Sequence, residues 1–281
     1  MLTPESIRLE RRTIVVAGAG GGGIGTAVAA MAARAGARVI AIDRAEKGRG
    51  EAQAALDDAG GENHRVVDCD LFDKAAVDAL FADLGPVDGL VNVVGGIQGM
   101  GNFAPLLDDE AQAIFQRVVD FNLRAAFNTS TAAARGMIAA GKGGSIVQIA
   151  SSTGLTSMPY GAGYAAGKAA LLNLMKTMAI EWGSAGVRVN AVAVGMIRTA
   201  MSHAVVAETD DAARQVVPMG RVGRSDEIAG PVLFLLSDLA GYVTGATLSV
   251  DGGAMARAPY NGADNLPVFV NDPTLKARLG L

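Results

Sequence analysis

The sequence has 281 residues, half of them hydrophobic, and a formal net charge of −4. A chain of this length can bury a large core, and its evenly spread apolar residues give no seam for a second folded domain. Its basic residues are scattered, which argues against a nucleic-acid partner or an anionic membrane surface.

The cysteine and histidine content and the hydropathy of the chain bear on disulfides, metal binding and membrane association. Cys69 is the single cysteine, which rules out an intrachain disulfide and fits a reducing compartment. His64 and His203 have no cysteine at metal-ligand spacing, so they are interpreted as polar surface residues and no metal is expected. No segment offers about eighteen uncharged apolar residues, and we therefore expect a cytoplasmic protein with no membrane partner.

Strand and helix patterns alternate along the chain. Apolar, β-branched runs of the kind that a parallel sheet buries on both faces occur at 13–17, 38–42, 65–67, 89–94, 145–149, 188–194 and 247–250. Helical spacing of apolar residues is found up to 35 and at 47–59, 73–84, 108–140, 163–185 and 226–237. This order predicts an α/β fold, a doubly wound parallel sheet with helices on both faces.

A glycine-rich turn follows the first strand. Its sequence is Gly18-Ala19-Gly20-Gly21-Gly22-Gly23-Ile24-Gly25, and a helical pattern begins there. Bare backbone amides and the positive end of a helix can meet a pyrophosphate at such a turn. The Gly-x-Gly-x-x-Gly match is weak evidence in so glycine-rich a stretch, but its position between strand and helix favours a dinucleotide site.

Acidic residues follow the second and third strands. Asp43 comes 18 residues after Gly25, where a carboxylate can accept both ribose hydroxyls of an adenosine and repel a 2′-phosphate. NAD is therefore favoured over NADP. Arg44 is the opposing signal, because its guanidinium could pair with that phosphate. Asp43 also has an alternative role, in which it only caps the next helix. Asp70 is predicted to meet the adenine amino group.

The stretch from Ser151 to Lys168 combines a hydroxyl, a phenol and an amine. It follows a buried strand, whose carboxyl end is the ligand-binding side of a parallel sheet. Tyr164 and Lys168 are four residues apart and share a face if a helix begins near Gly163. An ammonium there is expected to favour the phenolate, which makes Tyr164 a candidate general base for an alcohol. A lone Tyr-x-x-x-Lys match also occurs by chance in many helices.

Two segments depart from the strand and helix pattern. Between about 195 and 225 the pattern loosens, which predicts a mobile substrate lid within a domain of residues 1–253. Residues 254–281 form a C-terminal extension. Its run Leu266-Pro267-Val268-Phe269-Val270 is expected to pack near the active-site cleft of the same or a neighbouring subunit, with a disordered tail as the alternative.

With these motifs in order, the chain resembles the short-chain dehydrogenase/reductase family over roughly residues 10 to 254. The family's catalytic Ser lies thirteen residues before its Tyr, which selects Ser151 over Ser152. Three departures concern the fine geometry of the cofactor site. The glycine turn is one residue longer than usual, Val93-Val94 replace Asn-Ala, and Val194 replaces a proline.

The resemblance implies a single-domain Rossmann-type fold, a homotetramer, and hydride transfer between NAD(H) and a secondary alcohol or ketone. It implies that Tyr164 is the general base in oxidation and the acid in reduction, and that Lys168 lowers its pKa and holds the ribose. Ser151 would donate a hydrogen bond to the substrate oxygen, and Asn122 would support a water relay. The implied cofactor contacts are Gly18, Gly22, Gly23, Ile24, Gly25, Asp43, Arg44, Asp70, Leu71, Asn92, Val93, Gly95, Tyr164, Lys168, Gly195, Ile197 and Thr199.

The substrate is expected to be bulky and apolar or ring-containing, because flexible methionines suit an adaptable apolar wall. The candidate substrate contacts are Gly96, Met158, Met196 and Met201. Two other functions stay open at this point. One is an NADPH-dependent 3-oxoacyl thioester reductase, which Asp43 opposes, and the other is a dinucleotide-sensing protein without turnover.

Overall fold

The computed structural model describes residues 2–97, 103–199, 210–257 and 272–279. Its strands are β1 (Thr13–Ala17), β2 (Arg38–Ile42), β3 (Arg65–Val67), β4 (Gly89–Asn92), β5 (Gly144–Ser151), β6 (Val187–Val194), β7 (Ile197–Arg198), β8 (Gly223–Arg224) and β9 (Thr247–Val250). Its α-helices are α1 (Ile24–Arg34), α2 (Glu46–Ala59), α3 (Lys74–Leu84), α4 (Asp109–Ala139), α5 (Ala162–Trp182), α6 (Asp211–Val216), α7 (Ser225–Leu236) and α8 (Pro273–Leu279).

Within the described residues, seven strands form one parallel sheet in the order β3-β2-β1-β4-β5-β6-β9. The chain winds outward from β1 in one direction and then, from β4, in the other. The carboxyl ends of β1 and β4 are therefore neighbours at the point where the winding reverses, with Ala17 opposite Asn92. Ligands bind to sheets of this kind at that point.

Helices cover both faces of the sheet, as the sequence predicts. Alternate strand residues point to opposite faces, so Val15 and Leu90 pack against α3, α4 and α5. Val16 and Val91 pack on the other face, against α1, α2 and α7. The β-branched runs are thus buried on both sides, and the predicted doubly wound α/β fold is confirmed.

Two elements differ from their predicted extents. The fourth strand ends at Asn92 and not at residue 94, because the backbone turns away at Gly95, which has φ 147°, and Gly96 bonds to a side chain of α4. In the described part of segment 195–225, β7 pairs with β8, and Val217 belongs to a small apolar cluster. Met201 and the 266–270 run lie outside the described residues. Among those that are described, no helix is long and apolar enough to span a bilayer.

Candidate active site

Strand β5 delivers Ser151 to the carboxyl edge of the sheet. Its side chain is buried at 7% exposure, and a 3₁₀ turn over Ser152–Gly154 follows at once. The Ser151 Oγ accepts hydrogen bonds from the Thr153 backbone N–H at 3.3 Å and from the Thr153 hydroxyl at 3.0 Å. A Cβ on Gly154 would lie 2.9 Å from the Lys168 backbone, so the missing side chain lets this turn approach α5 closely.

Helix α5 begins at Ala162 and carries Tyr164 and Lys168 on one face, as predicted. The Lys168 Nζ lies 5.9 Å from the centre of the Tyr164 ring. Gly163 and Gly167 allow α5 to pack tightly on α4, because a Cβ at Gly167 would lie 2.9 Å from the Asn122 Cβ. The close approach of the two helices brings Asn122 to the same site as the Tyr and Lys pair.

Burial dominates the electrostatics of the Lys168 and Tyr164 side chains. Lys168 is 3% exposed and donates a hydrogen bond to the Ile149 carbonyl at 2.9 Å. Desolvation lowers the pKa of its ammonium to about 8. Burial also raises the pKa of Tyr164, and hydrogen bonds with Ser151 and Thr153 oppose that rise.

The pKa of Tyr164 therefore lies above its ordinary value in this arrangement, and the lowering by Lys168 that the resemblance implies stays a prediction. The ammonium lies beside the ring and bonds to Ile149 O, and burial disfavours both charged forms. When bound, an oxidised nicotinamide would add a positive charge at this site and accept a hydride from the alcohol carbon.

The Asn122 amide holds the loop that follows β4. Its Oδ1 accepts from the Gly96 N–H at 2.8 Å, and its Nδ2 donates to the Gly96 carbonyl at 3.0 Å and to Val118 O at 2.9 Å. A Cβ on Gly95 would lie 2.7 Å from Asn122 Oδ1 and 2.8 Å from Lys168 Nζ. Only glycine fits at residue 95, so this loop, α4 and α5 form one packed unit around the Lys168 ammonium.

Two of the predicted cofactor contacts have side chains in the interior. Asn92 donates to Ser130 Oγ at 2.9 Å and to Gln148 Oε1 at 3.1 Å, and it accepts from the Thr129 hydroxyl at 2.6 Å. Leu71 is 5% exposed and belongs to the core. For both residues the predicted cofactor contact must therefore be limited to the backbone, because β4 and the core hold their side chains.

The glycine turn is tightly packed on its inner side. A Cβ on Gly18 would lie 2.8 Å from the Val94 side chain, and one on Gly25 would lie 1.9 Å from Gly18 O. A Cβ on Gly20 would lie 2.5 Å from the Gly48 Cα of α2. A Cβ on Gly21, by contrast, would have no described atom within 4 Å. The turn thus presents bare backbone to open space at the start of α1, which fits a pyrophosphate.

Residues that follow the neighbouring strands lie beside the glycine turn, and together with it they form the candidate cofactor site. Asp43 Oδ2 accepts from the Gly20 N–H at 3.0 Å. Arg44 pairs with Asp70 at 3.4 Å, so the guanidinium that opposed the preference for NAD already has a carboxylate partner. Thr199 lies against Gly23, 3.5 Å from where its Cβ would stand.

The remaining predicted cofactor contacts lie on the glycine turn or at the ends of the strands beside it. Ile24 starts α1 after Gly22 and Gly23, and Val93 continues from β4 beside the turn, with its N–H bonded to Ala17 O. Gly195 packs on Asp251, since a Cβ would lie 2.6 Å from the Asp251 Cα, and Ile197 is 8% exposed. These residues thus lie at or beside the carboxyl edge of the sheet, and their contacts with the cofactor stay predictions.

Three of the candidate substrate contacts, Gly96, Met158 and Met196, lie among the described residues. Gly96 is fixed by Asn122, and Met158 packs on Gly161, whose Cβ would lie 2.9 Å from its sulfur. Met196 packs against the small apolar cluster beyond β6. Tyr160 follows Met158 in the chain and is 61% exposed, and its carbonyl accepts the N–H of Ala104.

Sequence reasoning missed Thr153 and gave His64 the wrong role. Thr153 follows Ser151 by two residues, and its hydroxyl was the available signal. The His64 Nδ1 accepts from the Val39 N–H at 3.0 Å, so this side chain completes the start of β2 and is not a plain surface residue. No group of three metal-ligating side chains is found among the described residues.

Comparisons with known proteins agree with this geometry. The model of a family described as Enoyl-(Acyl carrier protein) reductase matches residues 18–255. A D-threitol dehydrogenase of Mycolicibacterium smegmatis is 35% identical over 88% of this chain and 94% of its own. An uncharacterized short-chain type dehydrogenase/reductase of Sinorhizobium fredii is 39% identical over 90% of this chain, which spans only 45% of that longer protein. The crystal structure of a gluconate 5-dehydrogenase from Burkholderia cenocepacia, in complex with NADP and tartrate, is 32% identical, covers 90% of this chain and 99% of its own, and has a TM-score of 0.79.

The chain belongs to the short-chain dehydrogenase/reductase family. Members of the family use nicotinamide dinucleotides, and the relatives include dehydrogenases of alcohols and sugars. The protein is accordingly an oxidoreductase that acts on CH–OH groups.

Proposed function

We propose that the protein is an NAD(H)-dependent dehydrogenase of a secondary alcohol. The observation that carries this proposal is the placement of the Lys168 ammonium 5.9 Å from the centre of the Tyr164 ring, on the helix that packs against the turn after Ser151. A phenol in that position can exchange a proton with an alcohol oxygen while the alcohol carbon loses a hydride.

Each side chain has one part in this chemistry. Ser151 donates a hydrogen bond to the substrate oxygen, and Tyr164 takes the proton of the alcohol in oxidation and returns it in reduction. Lys168 holds the ribose next to the nicotinamide and compensates the charge that develops on Tyr164. Asn122 keeps the 95–96 loop in place, and its helix supports the water relay to solvent.

Asp43 supports NAD over NADP. Its carboxylate lies at the end of β2 beside the glycine turn, where a 2′-phosphate would be repelled. The gluconate 5-dehydrogenase neighbour binds NADP, so the family accommodates both cofactors. The NADPH-dependent 3-oxoacyl thioester reductase stays the second candidate.

A bulky, ring-containing alcohol is the substrate class that we favour. Leu155 and Tyr160 are 46% and 61% exposed in the segment between Ser151 and Tyr164, and Met158 lies between them in the chain. These side chains offer an apolar wall, while Ser151 and Tyr164 supply the polar end. The name of the D-threitol dehydrogenase adds polyols to the substrates worth testing.

The test is a panel of secondary alcohols, namely sterols, alicyclic alcohols, polyols and sugars, with hydroxyacyl thioesters included. Each is assayed with NAD and with NADP by the absorbance of the reduced cofactor. The proposal expects turnover of at least one ring-containing alcohol, with NAD strongly preferred. Turnover confined to hydroxyacyl thioesters with NADP would support the second candidate, and cofactor binding without turnover of any substrate would favour the dinucleotide sensor.

Assembly and location remain predictions. We propose a homotetramer whose contacts include the exposed apolar side chains of α4 and α5, among them Phe127, Ile138 and Ile180. A cytoplasmic location is expected from the single cysteine, which fits a reducing compartment.

A further inference from the structure

Helix α2 contains two glycines near its start, Gly48 and Gly50. Neither has a positive φ, so the backbone conformation does not require glycine at these positions. A glycine inside a helix lowers stability relative to alanine, because the unfolded chain has more conformational freedom to lose. Gly50 is exposed, and a Cβ there would have no described atom within 4 Å. Gly48 is buried, so its missing side chain is a matter of packing.

Gly48 packs against the Asp43 carboxyl group. A Cβ on Gly48 would lie 3.0 Å from both Cγ and Oδ1 of Asp43, and 3.3 Å from its Oδ2. These separations are shorter than the optimal distance between non-bonded heavy atoms. The Asp43 carboxyl group therefore occupies the space that a side chain at residue 48 would need.

Hydrogen bonds hold the Asp43 carboxylate in this place. Its Oδ1 accepts from the Ala45 N–H at 2.9 Å, and its Oδ2 accepts from the Gly20 N–H at 3.0 Å. The Asp43 backbone is held as well, because its N–H donates to Val67 O at 3.2 Å. A carboxylate pushed away from residue 48 would lengthen at least one of the bonds to its oxygens.

The glycine turn closes the other side of this contact. A Cβ on Gly20 would lie 2.5 Å from the Gly48 Cα and 2.6 Å from Asp43 Oδ2. The glycine turn, α2 and the end of β2 therefore meet where Gly20, Gly48 and Asp43 touch one another. An outward shift of α2 that made room at residue 48 would separate α2 from the turn that we assign to the cofactor.

The Asp43 side chain also has acceptors left for a ligand. The residue is only partly buried, and each carboxylate oxygen accepts one described hydrogen bond, which leaves a lone pair for a second donor. An acidic residue at the end of β2 is suited to the ribose hydroxyls of an adenosine. Hydrogen bonds to both hydroxyls require the two oxygens in fixed positions, so the position of the carboxylate matters as well as its charge.

We propose that Gly48 is a positioning residue for the cofactor, whose missing side chain lets Asp43 hold the orientation that binds the adenosine ribose of NAD(H). The inference rests on the proposed use of NAD(H). Gly48 is buried and acts through Asp43, without touching the cofactor. A side chain at residue 48 therefore weakens NADH binding but keeps the negative charge that opposes a 2′-phosphate.

The experiment compares Gly48→Ala with Gly50→Ala, the same substitution at two positions of one helix. NADH and NADPH binding is measured by the fluorescence of the cofactor, in the absence of substrate. We expect Gly48→Ala to bind NADH roughly 5- to 10-fold more weakly, since hydrogen bonds to a charged acceptor become longer. NADPH binding should change by less than about threefold, because the charge is kept. Gly50→Ala should bind both nucleotides as the wild type does.

Asp43→Ala shows whether the effect passes through the carboxylate. No carboxylate is left to displace in this background, so adding Gly48→Ala should change NADH binding by less than about twofold. Urea unfolding without cofactor gives a second measure. Gly48→Ala should raise the urea midpoint less than Gly50→Ala does in the wild type, and by the same amount when residue 43 is alanine.

NADH binding by Gly48→Ala that stays within about twofold of the wild type overturns the inference. An equal loss of NADH affinity in the Asp43→Ala background also overturns it, because Gly48 would then act through the glycine turn alone. Both results leave the proposed function intact if the wild type binds NADH and oxidises an alcohol. A wild type that binds NADPH more tightly than NADH would overturn the proposed use of NAD(H) and this inference with it.

Discussion

The Thr153 hydroxyl lies 3.0 Å from the Ser151 hydroxyl and donates a hydrogen bond to it. The Thr153 N–H donates to the same oxygen at 3.3 Å. With two bonds accepted from Thr153, the Ser151 oxygen directs its own proton elsewhere, to Tyr164 or to a substrate oxygen. We therefore expect Thr153 to position the Ser151 hydroxyl that we propose as part of the catalytic group.

Replacement of Thr153 tests this relationship. The hydrogen bonds of Ser151 and Thr153 lower the pKa of Tyr164 against the effect of burial, so Thr153→Ala should raise it. We expect kcat to fall by roughly 2- to 10-fold, since one hydrogen bond contributes about 0.5–1.5 kcal/mol, and the pH profile of alcohol oxidation to move to higher pH. Thr153→Ser should restore both kcat and the pH profile.

Thr156→Ala is the control for this prediction, because only a hydrogen bond to Ser152 O is lost, and it should leave the pH profile in place. An unshifted pH profile in Thr153→Ala would contradict the role that we assign to Thr153.

Gly95 and Gly96 form a matched pair. Both have a positive φ, at 147° and 148°, so an alanine strains either backbone equally, by about 1–3 kcal/mol. A Cβ at residue 95 meets Asn122 and Lys168, whereas a Cβ at residue 96 has no described atom within 4 Å. We expect both variants to unfold at lower urea concentration but only Gly95→Ala to lose most of its turnover. Equal loss of turnover in the two variants would show that backbone strain alone is responsible.

Lys168 should reduce the stability of the fold at neutral pH. Its folded-state pKa of about 8 is below the ordinary value of 10.5, because burial disfavours the ammonium. The unfolded chain therefore binds more protons between these pH values, and stability rises with pH from about 8 to 10.5, with the full penalty present below pH 8. Lys168→Met should lose activity yet gain on the order of 1–3 kcal/mol in unfolding free energy at pH 7, and less near pH 10.

Urea unfolding at both pH values checks this prediction. Lys176→Met, at an exposed position of the same helix, is the control and should show no such pH dependence. A Lys168→Met variant that is less stable than the wild type at pH 7 would mean that the hydrogen bond to Ile149 outweighs the burial of the charge.

The proposed tetramer makes a prediction about Ile180. This side chain is 84% exposed on α5, and Phe127 and Ile138 are 46% and 40% exposed on α4. Light scattering at micromolar concentration should give the mass of four chains for the wild type and a smaller mass for Ile180→Glu, because a charge is costly in an apolar contact. A monomeric wild type refutes the tetramer.

The sequence predicted the sheet well for a physical reason. Runs such as Thr13–Ala17 are β-branched and apolar throughout, and a strand buried on both faces needs that composition. The proximity of Tyr164 and Lys168 follows from helical spacing alone. By contrast, the inward turn of the Asn92 side chain depends on Gln148, which lies 56 residues away in sequence and opposite it in the sheet. The position of Thr153 likewise depends on tertiary packing, and the direction in which the pKa of Tyr164 shifts depends on burial.

Tyr164→Phe tests the central claim most directly. The variant keeps the ring and its packing but loses the hydroxyl that exchanges the proton. We predict that it folds, binds NADH as the wild type does by fluorescence titration, and loses at least about 100-fold in kcat for the best alcohol, since a general base contributes typically 10²–10⁴-fold. Retention of more than about a tenth of the wild-type kcat, with unchanged NADH binding, would contradict the assignment of Tyr164 as the catalytic acid and base.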